Sequence, residues 1–337
     1  MPATRSPLGL FLMIAALLIV VGVGAGVGYE QVERAADRGR FPQIGRSVDI
    51  GGRALNLDCL GAEGPVVIFA AGSSWPFYGP REMWARGLPR PGYSWVAIQR
   101  EVATFARACW YDRAGTGWSD PGPYPRDSAA TARDLHALLA AARIPPPYVL
   151  VAEASAALDA QVYTGFYPAD VSGLVLVDPA PAGLYERAFR SARQIPEFVR
   201  HTQSMSAEVW AGIGLWRLAA IGIPPAPRPP QFTSRDWDTI QQLQKAPNAG
   251  AALIQQMVSR QQDPEEARAA GGLGDRPLVV LTPRGSAVAA LQGELASLST
   301  RGKQVVVETS EVPLPYHAPE SVIGAIREMA VPARRHR

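Results

Sequence analysis

Along most of the chain, short runs of apolar and β-branched residues alternate with longer stretches of helical periodicity, and this restricts the fold more than any other feature. The run 66–71 is purely apolar and ends in Gly72. A strand with no polar alternation has both faces covered, the condition of a strand inside a parallel sheet. Runs at 108–112, 148–151, 173–178, 278–282 and 304–308 repeat the pattern, with helical stretches at 127–143, 155–166, 288–298 and 319–329. Two short segments around a Gly-Gly turn, 46–50 and 55–59, precede them. Such an order predicts a doubly wound, mostly parallel sheet with helices on both faces. Between 179 and 272 the alternation breaks into helical stretches rich in Trp and Pro, which reads as an inserted helical cap.

The N-terminal segment obeys a different rule. From 6 to 29 there is no charged residue, and at about 1.5 Å per residue these positions reach about 36 Å, enough to cross a hydrocarbon core of about 30 Å. A secretory signal has an apolar region of roughly 7–15 residues followed by an A-x-A-like site. The apolar run 8–27 is longer and is followed by Glu30, so the expectation is an uncleaved transmembrane helix within residues 1–29 and a juxtamembrane spacer at 30–45. Gly22, Gly24, Gly26 and Gly28 form two overlapping G-x-x-x-G spacings, which let a partner helix approach closely. Basic residues follow the segment, but large domains translocate largely regardless of such counts. The expectation is therefore a single-pass protein with an extracytoplasmic domain, periplasmic or on the outer face.

Composition removes other classes. With 47% hydrophobic and 19% charged residues, the chain is not intrinsically disordered. Its only lysines are Lys245 and Lys303, and no basic run is interleaved with aromatics, so no nucleic-acid partner is expected. Two cysteines and four scattered histidines offer no zinc spacing and no i, i+4 histidine pair. No metal or cofactor is expected.

The stretch Cys109-Trp-Tyr-Asp-Arg-Ala-Gly-Thr-Gly-Trp-Ser-Asp120, the strand-turn Tyr148-Val-Leu-Val-Ala-Glu-Ala-Ser-Ala-Ala157, the strand Gly173-Leu-Val-Leu-Val-Asp178 and the ending Pro319-Glu320 together resemble the α/β-hydrolase fold family, in its membrane-anchored or secreted ester-hydrolase-like members. The resemblance covers roughly residues 46 to 330. It implies an α/β-hydrolase fold: an eight-stranded, mostly parallel sheet built from 46–178 and 273–330, the cap 179–272, and a basic tail 331–337. It also implies a catalytic set in chain order: a nucleophile in a G-x-S-x-G elbow, an acid, and a histidine. Aligned through Tyr148-Val-Leu-Val, the nucleophile position holds Ala154, and the outer glycines become Ala152 and Ala156. The acid's loop, 283–290, contains no carboxylate, and the histidine position counted back from Pro319 holds Val312. Nucleophilic catalysis needs the hydroxyl, its base and the base's orienting partner together. The leading expectation is accordingly a non-catalytic pseudo-hydrolase, a structural or binding subunit of a membrane assembly.

Two alternatives stay open. A displaced set of Ser155, His317 and Asp178 would make a serine ester or amide hydrolase. A vacated pocket around Gly72, Ser73, Glu153 and Ser155 would bind a small molecule. Glu153 is expected as a satisfied polar group near the vacated site, the alternative being a functional carboxylate facing the pocket; unpaired burial would raise its pKa. Asp112 and Arg113 read as an internal structural pair. The segment 73–92 carries Trp75, Phe77, Tyr78, Trp84 and several arginines, residue types that anchor interfaces; it and the membrane helix are the expected contacts to protein partners. The family topology also sets the strand of Cys59 beside that of Cys109, implying a disulfide in an oxidising compartment.

Overall fold

The computed structural model describes residues 7–61, 64–73, 88–188, 195–221 and 225–330. Eight strands form one sheet: β1 (Arg46–Asp49), β2 (Ala54–Leu60), β3 (Val66–Ala70), β4 (Arg107–Tyr111), β5 (Tyr148–Glu153), β6 (Val171–Val177), β7 (Leu278–Pro283) and β8 (Gly302–Val307), in the spatial order β1-β2-β4-β3-β5-β6-β7-β8. Only β1–β2 and β2–β4 pair antiparallel; from β4 to β8 the sheet is parallel. All residues of β3, β5 and β7 are buried because both faces are covered. Ile68, Leu150, Leu174 and Val280 point into one core layer with Leu135 and Leu138, whereas Phe69, Val149, Val175 and Val279 point into the other with Trp95, Ile98 and Ile326. This is the period-2 alternation of a strand, here apolar on both sides.

The helices are α1 (Pro7–Arg40), α2 (Val96–Val102), α3 (Ser128–Ala141), α4 (Ala156–Phe166), then α5 (Ala182–Ala188), α6 (Glu197–Gly212), α7 (Leu215–Ala219), α8 (Ser234–Lys245), α9 (Pro247–Ser259) and α10 (Asp263–Ala269), all between β6 and β7, and finally α11 (Ala289–Ala296), α12 (Leu314–His317) and α13 (Pro319–Ala330). Buried charges lock the cap segment to the core. Arg260 donates to Asp159 at 3.2 and 3.1 Å and to Asp263 at 2.7 Å. Asp263 in turn accepts from the Ser128 amide at 2.9 Å, and Glu266 accepts from the Ala129 amide at 2.8 Å. Cap carboxylates thus satisfy the free N–H groups at the start of α3, where a helix dipole favours negative charge.

Cys59 and Cys109 stand opposite each other in the β2–β4 register and form a disulfide, with Cα atoms 4.1 Å apart.

At the N-terminus the structure departs from the sequence expectation. The helix does not end at residue 29 with a spacer to 45; α1 continues to Arg40. Residues 30–38 contain no Gly or Pro, Glu30 pairs with Arg34 one turn on at 2.7 Å, and Pro42 ends the run. From the cap, Arg217 reaches Glu30 at 3.1 Å and Asp37 at 2.9 Å, so Glu30 is fully buried. Gly26 faces this chain's own cap rather than a partner helix, since a Cβ there would meet the Ile213 carbonyl oxygen at 2.5 Å; Gly22, Gly24 and Gly28 have open space. The stretch from Leu8 remains long and apolar enough to cross a membrane.

Candidate functional site

The turn from β5 into α4 puts Ala154 at φ +49°, a left-handed conformation costing an L residue about 1–2 kcal/mol. The surroundings over-determine it. The Ala154 amide donates to Val177 O at 3.1 Å, the Ala180 amide donates to Ala154 O at 3.1 Å, and Ala156 and Ala157 are fully buried. Gly72 lies so close beneath the turn that a Cβ would meet Glu153 O at 2.1 Å.

A cavity of about 500 Å³ opens at this turn, lined among others by Ala154, Asp178, Leu184, residues 283–288, Gln292, Ser310 and Val312. The three positions aligned from the sequence as nucleophile, acid loop and base therefore share one cavity wall. They present a methyl group, a loop without a carboxylate and an isopropyl group.

The four residues expected to line the pocket lie elsewhere. Gly72, Ser73, Glu153 and Ser155 are buried against one another, and none is on the cavity wall. Ser155 is completely buried, and its Oγ accepts from the Ser73 amide at 2.9 Å while its own amide donates to Ser73 O at 3.3 Å. In an elbow of this fold, the amide after the nucleophile position and an amide of the loop after the third strand are the donors aimed at a substrate oxyanion. Here the Ser155 amide and the Ser73 amide are both bonded within the protein; the rest of that loop, 74–87, lies outside the described residues.

Glu153 is a satisfied buried group and not a free carboxylate facing the cavity. Arg90 grips it with two bonds, Nε to Oε2 at 2.9 Å and Nη2 to Oε1 at 2.6 Å, with both side chains buried. Burial pushes the Glu153 carboxyl above the usual range, and the adjacent guanidinium opposes that rise. The Arg90 amide also donates to Gly72 O at 3.2 Å. Both ends of the segment between Gly72 and Arg90 are consequently pinned to the elbow. Trp75, Phe77, Tyr78 and Trp84 lie outside the described residues.

The displaced set is not assembled. The Asp178 carboxylate accepts from Gln292 at 2.9 Å, His317 Nδ1 faces Glu311 at 2.7 Å, and Ser155 is turned to Ser73. None of the three is hydrogen-bonded to either of the others. Burial raises the Asp178 carboxyl, with Gln292 opposing. Asp112 and Arg113 are not a pair either. Asp112 accepts from the Gly92 amide at 2.6 Å, from Asn56 at 2.9 Å and from the Trp118 amide at 3.1 Å, and burial holds it up at about 6, whereas Arg113 faces Asp159 at 3.5 Å. Among the described residues, no three His, Cys, Asp or Glu side chains gather as metal ligands.

This architecture recurs among solved structures. A thermophilic esterase from Thermogutta terrifontis superposes with a TM-score of 0.57 at 20% identity, covering 85% of this chain and 97% of its own. The enol-lactonase from Burkholderia xenovorans gives 0.56 at 12%, covering 84% and 99%, and epoxide hydrolase VrEH1 from Vigna radiata gives 0.57 at 16%, covering 84% and 96%. The chain has the α/β-hydrolase fold, an eight-stranded mostly parallel sheet preceded by one long apolar helix. By sequence it is similar to two uncharacterized proteins of Bacillus subtilis. YbdG is 21% identical over 168 residues, 50% of this chain and 47% of YbdG, and YqjL is 29% identical over 117 residues, 34% of this chain and 44% of YqjL. The matches thus span less than half the length of these curated relatives. No family model matches.

Proposed function

We propose that this chain is a membrane-anchored pseudo-hydrolase that acts by binding and not by turnover, with the cavity beside Ala154 as its ligand site. The observation carrying this reading is the internal closure of the elbow: the Ser155 and Ser73 amides are bonded to Ser73 O and Ser155 Oγ. An acyl-transfer site stripped of its triad still keeps about 10³–10⁴-fold over water through its oxyanion donors and binding. With the donors occupied, even that remnant loses its main source. A cavity of about 500 Å³ falls in the range of small-molecule pockets, and its mostly apolar wall, with Asp178, Arg284, Ser286, Gln292 and Ser310 as polar points, suits a small, largely apolar molecule bearing a few hydrogen-bonding groups.

The helix from Leu8 serves as the single-pass anchor, and the Cys59–Cys109 bridge supports an oxidising, extracytoplasmic location for the domain. A subunit role within the membrane rests on Gly22, Gly24 and Gly28, glycines of the apolar stretch of α1 with open space beside them. If a partner helix seats there, Gly24→Leu releases it from detergent-purified protein without unfolding the domain.

The purified chain should show neither labelling by a fluorophosphonate probe nor turnover of short-chain aryl esters above a Ser155→Ala control. Robust turnover abolished by Ser155→Ala or His317→Ala would overturn the reading in favour of the displaced set.

A further inference from the structure

Outside α1, most of the exposed large apolar side chains of the described residues gather in one 24-residue segment of the cap: Phe198, Met205, Val209, Trp210, Leu215, Leu218 and Ile221. Helix α6 turns Ser204, Ala207 and Ala211 toward the protein and Phe198, Met205 and Val209 away from it. A surface helix in water usually turns its large apolar groups inward, whereas α6 exposes Phe198, Met205, Val209 and Trp210 alongside the polar Glu197, His201, Thr202, Gln203 and Glu208. On α7, Leu215 and Leu218 continue the exposed face, while Arg217 on the same helix is drawn away to Glu30 and Asp37.

The position of this face relative to α1 identifies what covers it. The turn between α6 and α7 touches α1 at Gly26, against the Ile213 carbonyl. Gly26 lies four residues before Glu30, the first charged residue after the apolar stretch, so the contact sits about 6 Å inward of that charge along the helix axis. The headgroup layer on each side of a bilayer is about 5–8 Å thick. A turn fixed to α1 at that depth cannot stay in bulk water when α1 spans the bilayer.

We infer that the outer face of α6 and α7 lies in the headgroup and upper acyl layer of the same membrane that α1 crosses, making the cap a second, interfacial membrane contact. The inference rests on the reading of α1 as a membrane span and goes beyond it. Interfacial helices bury an apolar face roughly 5–10 Å into this layer, and Trp210 is suited to that depth, with an apolar ring and one N–H donor. The ion pairs of Arg217 with Glu30 and Asp37 fix the tilt of the cap on the anchor. The domain is thereby held on the membrane in one orientation and does not swing on a tether.

The test uses the full chain in vesicles of phosphatidylethanolamine and phosphatidylglycerol. Single substitutions Phe198→Cys, Val209→Cys and Leu218→Cys each carry a polarity-sensitive fluorophore; the two native cysteines are in the disulfide and do not react. Leu18→Cys reports the span, and Val306→Cys reports an exposed apolar position on the far edge strand. Lipids brominated on their acyl chains should remove most of the emission at 198, 209 and 218 as well as at 18, and leave 306 unchanged. Quenching at 18 with water-like, unquenched emission at 198, 209 and 218 would overturn the inference and leave the anchor intact. A blue-shifted but unquenched signal at those three sites would show that protein covers the face and would equally overturn it. No quenching at 18 would remove the anchor and the inference together.

Discussion

Replacing Arg90 by methionine removes the guanidinium from a pair in which both side chains are 3% exposed and leaves the Glu153 carboxylate buried without its bidentate partner. Breaking a buried ion pair from one side costs about 3–5 kcal/mol, because the remaining charge keeps its desolvation penalty. That is a large share of the roughly 5–15 kcal/mol by which a domain is stable. At about 2 °C per kcal/mol for a domain slightly larger than 250 residues, the melting temperature should fall by about 6–10 °C at pH 7.

The loss also has a pH signature. Burial already raises the Glu153 carboxyl and Arg90 is the leading opposing influence, so the variant's carboxyl rises further. A carboxyl raised in the folded state stabilises the fold in its protonated form. Its contribution is present below the unfolded pKa, about 4.3 for Glu, and is lost as pH rises through the folded value. The difference between wild type and Arg90→Met should therefore be small near pH 4 and should widen by at most about 1.4 kcal/mol per pH unit above it. The assay is urea unfolding of the full chain in mild detergent from pH 4 to 8. Arg90→Met combined with Glu153→Leu should recover most of the stability, since replacing both charges by packed apolar groups is often close to neutral. A pH-independent difference, or a cost under about 1 kcal/mol at pH 7, would refute the buried pairing.

Arg260→Met should cost about 3–5 kcal/mol by leaving Asp263 buried without its cation and Asp159 with Arg113 alone, and limited proteolysis should then cut first within 179–272. The Cys59–Cys109 bridge closes a separation of 50 residues, worth about 4 kcal/mol in the chain-entropy account; unfolding with and without reductant measures it, and two reactive thiols in unreduced, denatured protein would contradict it. Asp112, held at about 6 by burial, should make stability fall by roughly 1.4 kcal/mol per unit between about pH 4 and pH 6, a slope that Asp112→Asn flattens in the same unfolding series. Gly26→Leu, which drives a side chain into the Ile213 carbonyl, should loosen the cap from α1, read as faster hydrogen exchange across 204–219.

What the sequence alone determined is what local patterning and short anchored alignments can carry. The apolar runs became β3 to β8 because period and burial are written into consecutive residues. Ala154 and Val312 were locatable because Tyr148-Val-Leu-Val and Pro319 lie a few residues from them without a gap, and the apolar span from Leu8 follows from length and charge alone. The rest was decided by the tertiary structure. Arg90 and Glu153 are 63 positions apart, and Ser73 and Ser155 are 82 apart, so no local signal announces that the Ser73 and Ser155 amides are bonded to each other's residue or that Glu153 has a cation. Asp112 and Arg113 are neighbours in sequence, yet their side chains leave the loop toward different partners, Asp112 to Gly92, Asn56 and Trp118 and Arg113 to Asp159. The extension of α1 to Arg40 is favoured by its own residues, but its rigid seat depends on Arg217, 187 positions from Glu30. Hydrophobic pattern is a property of neighbours along the chain, whereas the pairing of a buried charge is a property of what the completed fold brings within about 3 Å of it.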